Sequence, residues 1–129
     1  MAELHVAIYE SSPDDVPHWS LYTMDDYGNE MVFEALGSTG GEFKYNSRAV
    51  RMLLSDSLSE IPKIGRIEAD VWPDVPDLLK YVPMGNRKGW NCQNWVMEAI
   101  ASLKREGYLE ENAAGMNYIR SKYQKKLSV

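Results

Sequence analysis

Between Asn91 and Glu106 the chain carries its strongest folding instruction. Trp95, Val96, Ala99, Ile100 and Leu103 recur at three- and four-residue spacing, which places them on one buried face of an α-helix. Asn91 can accept an amide hydrogen of the first turn and so cap the helix. Lys104 and Arg105 fall in the last turn, and Gly107 supplies a stop. Whatever else the chain forms has to cover that apolar face. The residue after the cap is Cys92, the one cysteine among 129 residues. In a first turn, the helix dipole and the free N–H groups favour a negative sulfur, and the same groups can face an oxyanion. Cys92 is therefore a candidate nucleophile. The plainer alternative is a small apolar residue that plugs the helix against a sheet.

The first half of the chain reads as strands. Leu4–Tyr9 is apolar and β-branched, Ser11–Asp15 is a turn by composition, and His18–Thr23 follows Pro17. Alternation puts His18, Ser20 and Tyr22 on one face and Trp19, Leu21 and Thr23 on the other. Asp25–Asn29 is a hairpin connection to Glu30–Leu36, where Glu30, Val32 and Glu34 share a face. Gly37–Gly41 breaks the chain, and Glu42–Tyr45 can add a short strand. Ser47–Ser57 fits strand or helix. Lys63–Trp72 reads as a strand ending at Pro73, Asp74–Val82 as a short helix stopped by Pro83, and Leu109 onward as a polar helix broken near Gly115. Strands first and helices around Cys92 give an α+β class: a small antiparallel sheet packed against helices, in a single domain over 1–129.

Charge and composition narrow the function. A formal net charge of -5, with basic residues clustering only toward the C-terminus, argues against nucleic acid as a partner. The N-terminus lacks a basic region followed by an apolar core, and no apolar run reaches membrane-span length, so the expected location is cytoplasmic with no membrane span. One cysteine and two histidines provide no close metal-ligand pair. Asp14-Asp15 and Asp25-Asp26 lack calcium-loop spacing, and Gly40-Gly41 lacks the residues of a phosphate loop. No metal and no cofactor is expected. The oligomeric state is not encoded in anything legible.

A cysteine nucleophile needs a base, and the base an orienting partner. His18 is the better of the two histidines, because a strand start beside a loop can reach a cleft; His5 reads as an ordinary strand residue. Glu34 or Glu30, on the neighbouring strand, can hold the imidazole tautomer. Trp90, Trp19 and Asn91 are the candidates for contact with substrate, although tryptophans are commonly core residues.

His18-Trp19-Ser20-Leu21-Tyr22 on a strand, followed much later by Asn91-Cys92-Gln93-Asn94-Trp95-Val96 opening a helix, resembles the permuted papain-like families. The likeness is greatest to the lecithin-retinol-acyltransferase-like group. Histidine before cysteine, reversed relative to papain, is the permuted order. The match covers some dozen residues, with compatible strand–helix order over most of positions 4–107. The resemblance implies His18 as general base and Cys92 as nucleophile. Relatives carry a polar third residue on the next strand, often histidine; here Glu34 stands in that segment. It implies a hydrolase or acyltransferase/amidase that passes a small-molecule or peptide acyl group through a thioester. Two other classes compete: an inactive binding or interaction module on the same scaffold, and a noncovalent tailoring enzyme with a Trp-lined cleft.

Overall fold

The computed structural model describes residues 1–10, 16–37, 42–51, 57–85 and 87–125. The Ser11–Asp15 turn, Gly40-Gly41 and residues 52–56 of the ambiguous Ser47–Ser57 stretch lie outside them. Among the described residues the chain is α+β, with seven strands in one antiparallel sheet and three helices. In chain order the strands are β1 (Ala2–Tyr9), β2 (Trp19–Asp25), β3 (Glu30–Gly37), β4 (Phe43–Ala49), β5 (Leu58–Glu60), β6 (Lys63–Ile67) and β7 (Leu109–Glu111). The helices are α1 (Val75–Lys80), α2 (Cys92–Arg105) and α3 (Ala113–Lys122). The sheet order is β4-β3-β2-β1-β6-β7, with β5 also pairing with β1.

The alternation read from the sequence separates two apolar clusters. Leu4, Val6 and Ile8 of β1, Trp19 and Leu21 of β2, and Phe33 and Ala35 of β3 form the main core. The α2 stripe of Trp95, Val96, Ala99, Ile100 and Leu103 seals it, with Met116 and Ile119 of α3. Ala7, Tyr9, Tyr22 and Val32 form the smaller cluster. The β2–β3 hairpin closes as its composition suggests. The Asp25 carboxylate accepts from the N–H groups of Tyr27 and Asn29, each at 2.9 Å, and Gly28 takes a φ of 80° that disfavours other residues.

Three expectations are corrected. The strand placed at Lys63–Trp72 stops at Ile67, because the Glu68 carbonyl accepts from Val71 and Trp72 and turns the chain into a short 3-10 segment, Trp72–Asp74, ahead of α1. Leu109 begins a strand rather than a helix, pairing with Ile67 on the β6 edge. Gly115 does not break the last helix but lies inside α3. There its missing side chain lets the helix pack on the Lys63 carbonyl, which a Cβ would strike. The α2 helix begins and ends as its sequence dictates, with Asn91 as cap and Gly107 at a φ of 75° beyond its end. No helix among the described residues is long and apolar enough to cross a membrane.

Candidate active site

The sheet registers bring the base and its partner together. β1 and β2 pair Ile8 with Trp19, and the Tyr9 N–H donates to the His18 carbonyl at 3.0 Å, so the residue before β2 is held against the end of β1. β3 and β4 pair Glu34 with Asn46. His18 Nε2 lies 2.9 Å from Glu34 Oε1. The other carboxylate oxygen accepts from Asn46 Nδ2 at 2.9 Å and faces Arg48 Nε at 3.4 Å. The carboxylate is 3% exposed and the imidazole about a third exposed (34%). Glu30 has a different task, accepting from the Tyr22 hydroxyl at 2.6 Å, so the carboxylate beside His18 is Glu34.

The sulfur arrives from α2. Asn91 Oδ1 accepts from the Gln93 N–H at 2.9 Å and from the Asn94 N–H, while Asn94 Oδ1 accepts from the Asn91 N–H at 2.9 Å, a reciprocal capping box. The Trp95 N–H donates to the Asn91 carbonyl at 3.3 Å. Among the described residues the Cys92 N–H is the first-turn amide that these bonds leave over. Cys92 Sγ accepts from the N–H of Trp19, the residue after His18, at 3.4 Å, and lies near enough to the imidazole to favour its protonated form. With Nε2 directed at Glu34, Nδ1 is the ring nitrogen left for the sulfur.

These contacts set the charge of the imidazole. Burial works against protonation, but the sulfur of Cys92 and the hydrogen-bonded carboxylate of Glu34 beside the ring outweigh it and push His18 up to about 9. Burial alone would raise Glu34; the hydrogen bonds from His18 and Asn46 and the positive charge of His18 and Arg48 hold its carboxyl below the ordinary glutamate value. Tyr9 closes the other side, its ring centroid 5.2 Å from that of His18 and its hydroxyl 3.1 Å from Ser20 Oγ.

Cys92, His18 and Glu34 thus meet, whereas the residues expected at the substrate do not line an open cleft. Trp90 is sealed, packing against Phe43 with centroids 5.1 Å apart and lying so close to Gly85 that a Cβ there would come within 2.5 Å of the indole. Trp19 is fully buried against Tyr123, and the Asn91 side chain is spent on the cap and on Gln124. His5 bonds the Ile61 carbonyl at 3.1 Å, away from the sulfur. A groove of about 710 Å³ beside the β2–β3 turn, lined by Glu30, Met31, Val50 and Arg51 among others, contains none of the three residues. Among the described residues no three His, Cys, Asp or Glu side chains are grouped to hold a metal ion. Asn46, Arg48, Tyr9 and Gln93 escape the sequence reading. Gln93 alone left a trace there, as part of the Asn-Cys-Gln-Asn run.

Residues 4–110 match the model of a family of unknown function (DUF6540). No curated protein and no solved structure matches the chain.

Proposed function

The chain belongs to that family of unknown function, so its chemistry has to be read from the site, and we propose that it is a cysteine-dependent acyl-transfer enzyme on a permuted papain-like scaffold. The reading is of a hydrolase or acyltransferase/amidase working through a thioester on Cys92. One observation carries it: a sulfur at a helix mouth accepts from the N–H of Trp19, and the neighbouring residue, His18, is hydrogen-bonded to a buried carboxylate. A structural cysteine needs no such partners.

The mechanism follows from those contacts. The thiol proton passes to Nδ1 of His18, and Glu34 stabilises the imidazolium through Nε2. The thiolate attacks an acyl carbon, forming the C–S bond, and the carbonyl oxygen becomes an oxyanion. The Cys92 N–H, left over by the cap, is the donor available to it at the positive end of the α2 dipole. Collapse breaks the bond to the leaving group, which departs with the proton from His18. Water or an amine then gives its proton to His18 and attacks the thioester, and the sulfur leaves as thiolate. Positioned proton transfer of this kind contributes about 10²–10⁴-fold to rate.

Intact-mass analysis after exposure to a panel of activated esters and thioesters tests the proposal. One acyl adduct per chain, located on Cys92 and absent from Cys92→Ala, is the expected result; an unchanged mass across the panel sinks it. A second reading, an inactive binding module on the same scaffold, is favoured by the 7% exposure of Cys92 and predicts the unchanged mass. The Trp-lined cleft of a noncovalent enzyme loses its support, because Trp90 and Trp19 are core residues.

A further inference from the structure

Gln93, the residue after the sulfur, is fully buried. Its Nε2 donates at 2.8 Å to the carbonyl of Pro17, the residue before the imidazole, across 76 positions of sequence. Its Oε1 accepts from the backbone N–H of Gln124 at 2.6 Å. The bridge needs a donor at one end and an acceptor at the other, which a carboxamide supplies. Gln124 is itself held. Its Oε1 accepts from Asn91 Nδ2 at 3.0 Å, and its Nε2 donates to Asn94 Oδ1 at 2.9 Å and to Asn91 Oδ1 at 3.4 Å. Among the described residues it is the one non-glycine with a positive φ, 57°, a conformation that persists when surrounding contacts enforce it. The adjoining Tyr123 packs on Trp19, whose N–H reaches the sulfur.

We propose that Gln93, oriented by Gln124, is the positioning residue that sets the meeting of His18 and Cys92, and that Tyr123 and Gln124, just after α3, are therefore part of the site. The inference rests on reading that pair as the reactive centre, but the geometry it concerns can be measured without turnover. His18 is faced by Cys92 from α2, by Glu34 from β3 and by Tyr9 from β1, with Arg48 of β4 behind Glu34. Gln93 does not hold Glu34 or Tyr9. Loss of the bridge loosens the sulfur contact and leaves the carboxylate contact in place.

The test is an NMR titration of the imidazole nitrogens in wild type, Gln93→Leu and Gln124→Pro, with His5 as internal control and Cys92 alkylation measured on the same samples. Gln93→Leu deletes both ends of the bridge. Gln124→Pro removes the N–H that orients it and cannot adopt the native φ, and it changes a half-buried residue rather than a fully buried one, so it remains informative if Gln93→Leu does not fold. In each folded variant His18 is expected to titrate about one pH unit or more below wild type, with His5 unmoved, and Cys92 to alkylate roughly tenfold more slowly near neutral pH. Folded variants that keep the wild-type His18 titration and alkylation rate overturn the inference while leaving the reactive pair intact. A wild-type protein without a raised His18 titration removes the pair itself, which is the failure of the functional reading.

Discussion

Glu34 shows how the site is held at the scale of single residues. A buried carboxylate is costly unless charged or hydrogen-bonded partners surround it, and Glu34 has His18, Asn46 and Arg48. Because these partners depress its folded pKa, Glu34 contributes stability that is present above the ordinary glutamate value and is lost as pH falls through the lower folded value. The thermal stability of the wild type should therefore fall on the acid side, and Glu34→Gln should flatten part of that dependence; identical acid profiles for the two proteins contradict the assignment. The same substitution bears on the imidazole. Without the carboxylate the His18 titration should move down from about 9 toward the ordinary histidine value. In acyl transfer the protonated imidazole serves the leaving group, so the high-pH decline in rate should sit near 9 in wild type and shift to lower pH in Glu34→Gln.

At the scale of elements, α2 and its cap do two tasks, since Asn91 both starts the helix and anchors Gln124. Asn91→Ala should cost at least about 1 kcal/mol in denaturant unfolding, the usual value of a lost cap, and more if the tail detaches with it. Gly115→Ala should cost about 1–3 kcal/mol, because α3 must move off the Lys63 carbonyl to admit the methyl group; an unchanged unfolding midpoint would mean that the close approach is not kept in solution. α2 was legible in the sequence because its periodicity, its cap and its glycine stop are all local. The cores of β1, β2 and β3 were legible from alternation and from the turn chemistry of Asp25–Asn29. β5 and β7 are three residues each, too short to show a period, and they pair with the end of β1 that β6 leaves uncovered and with the outer side of β6. The site divides in the same way. Cys92 and His18 could be named from residue type and position, and the third member narrowed to Glu34 or Glu30, whereas Asn46 depends on the β3–β4 register and Gln124 on how the chain folds back after α3. Neither is a local property. Trp90 and Trp19 misled because an indole beside a cysteine looks the same in sequence whether it lines a cleft or fills a core.

Across the whole molecule, one core fixes the distance between two segments far apart in sequence. β1 lies inside the sheet, His18 immediately precedes β2 and Glu34 lies on β3, and α2 packs on β2 and β3 with Cys92 at its start. The helix–sheet core thus serves as the frame of the site. Trp95→Ala, which removes a fully buried indole from the α2 face, should cost about 3–5 kcal/mol and lower the reactivity of Cys92 in the fraction that remains folded. The central claim is that His18 takes the proton of Cys92. Its most direct test is the second-order rate of Cys92 alkylation near neutral pH in wild type and in His18→Ala, each compared with a free thiol peptide. The account predicts that wild type reacts faster than the peptide and that the substitution abolishes the excess; equal rates in the two proteins would contradict it.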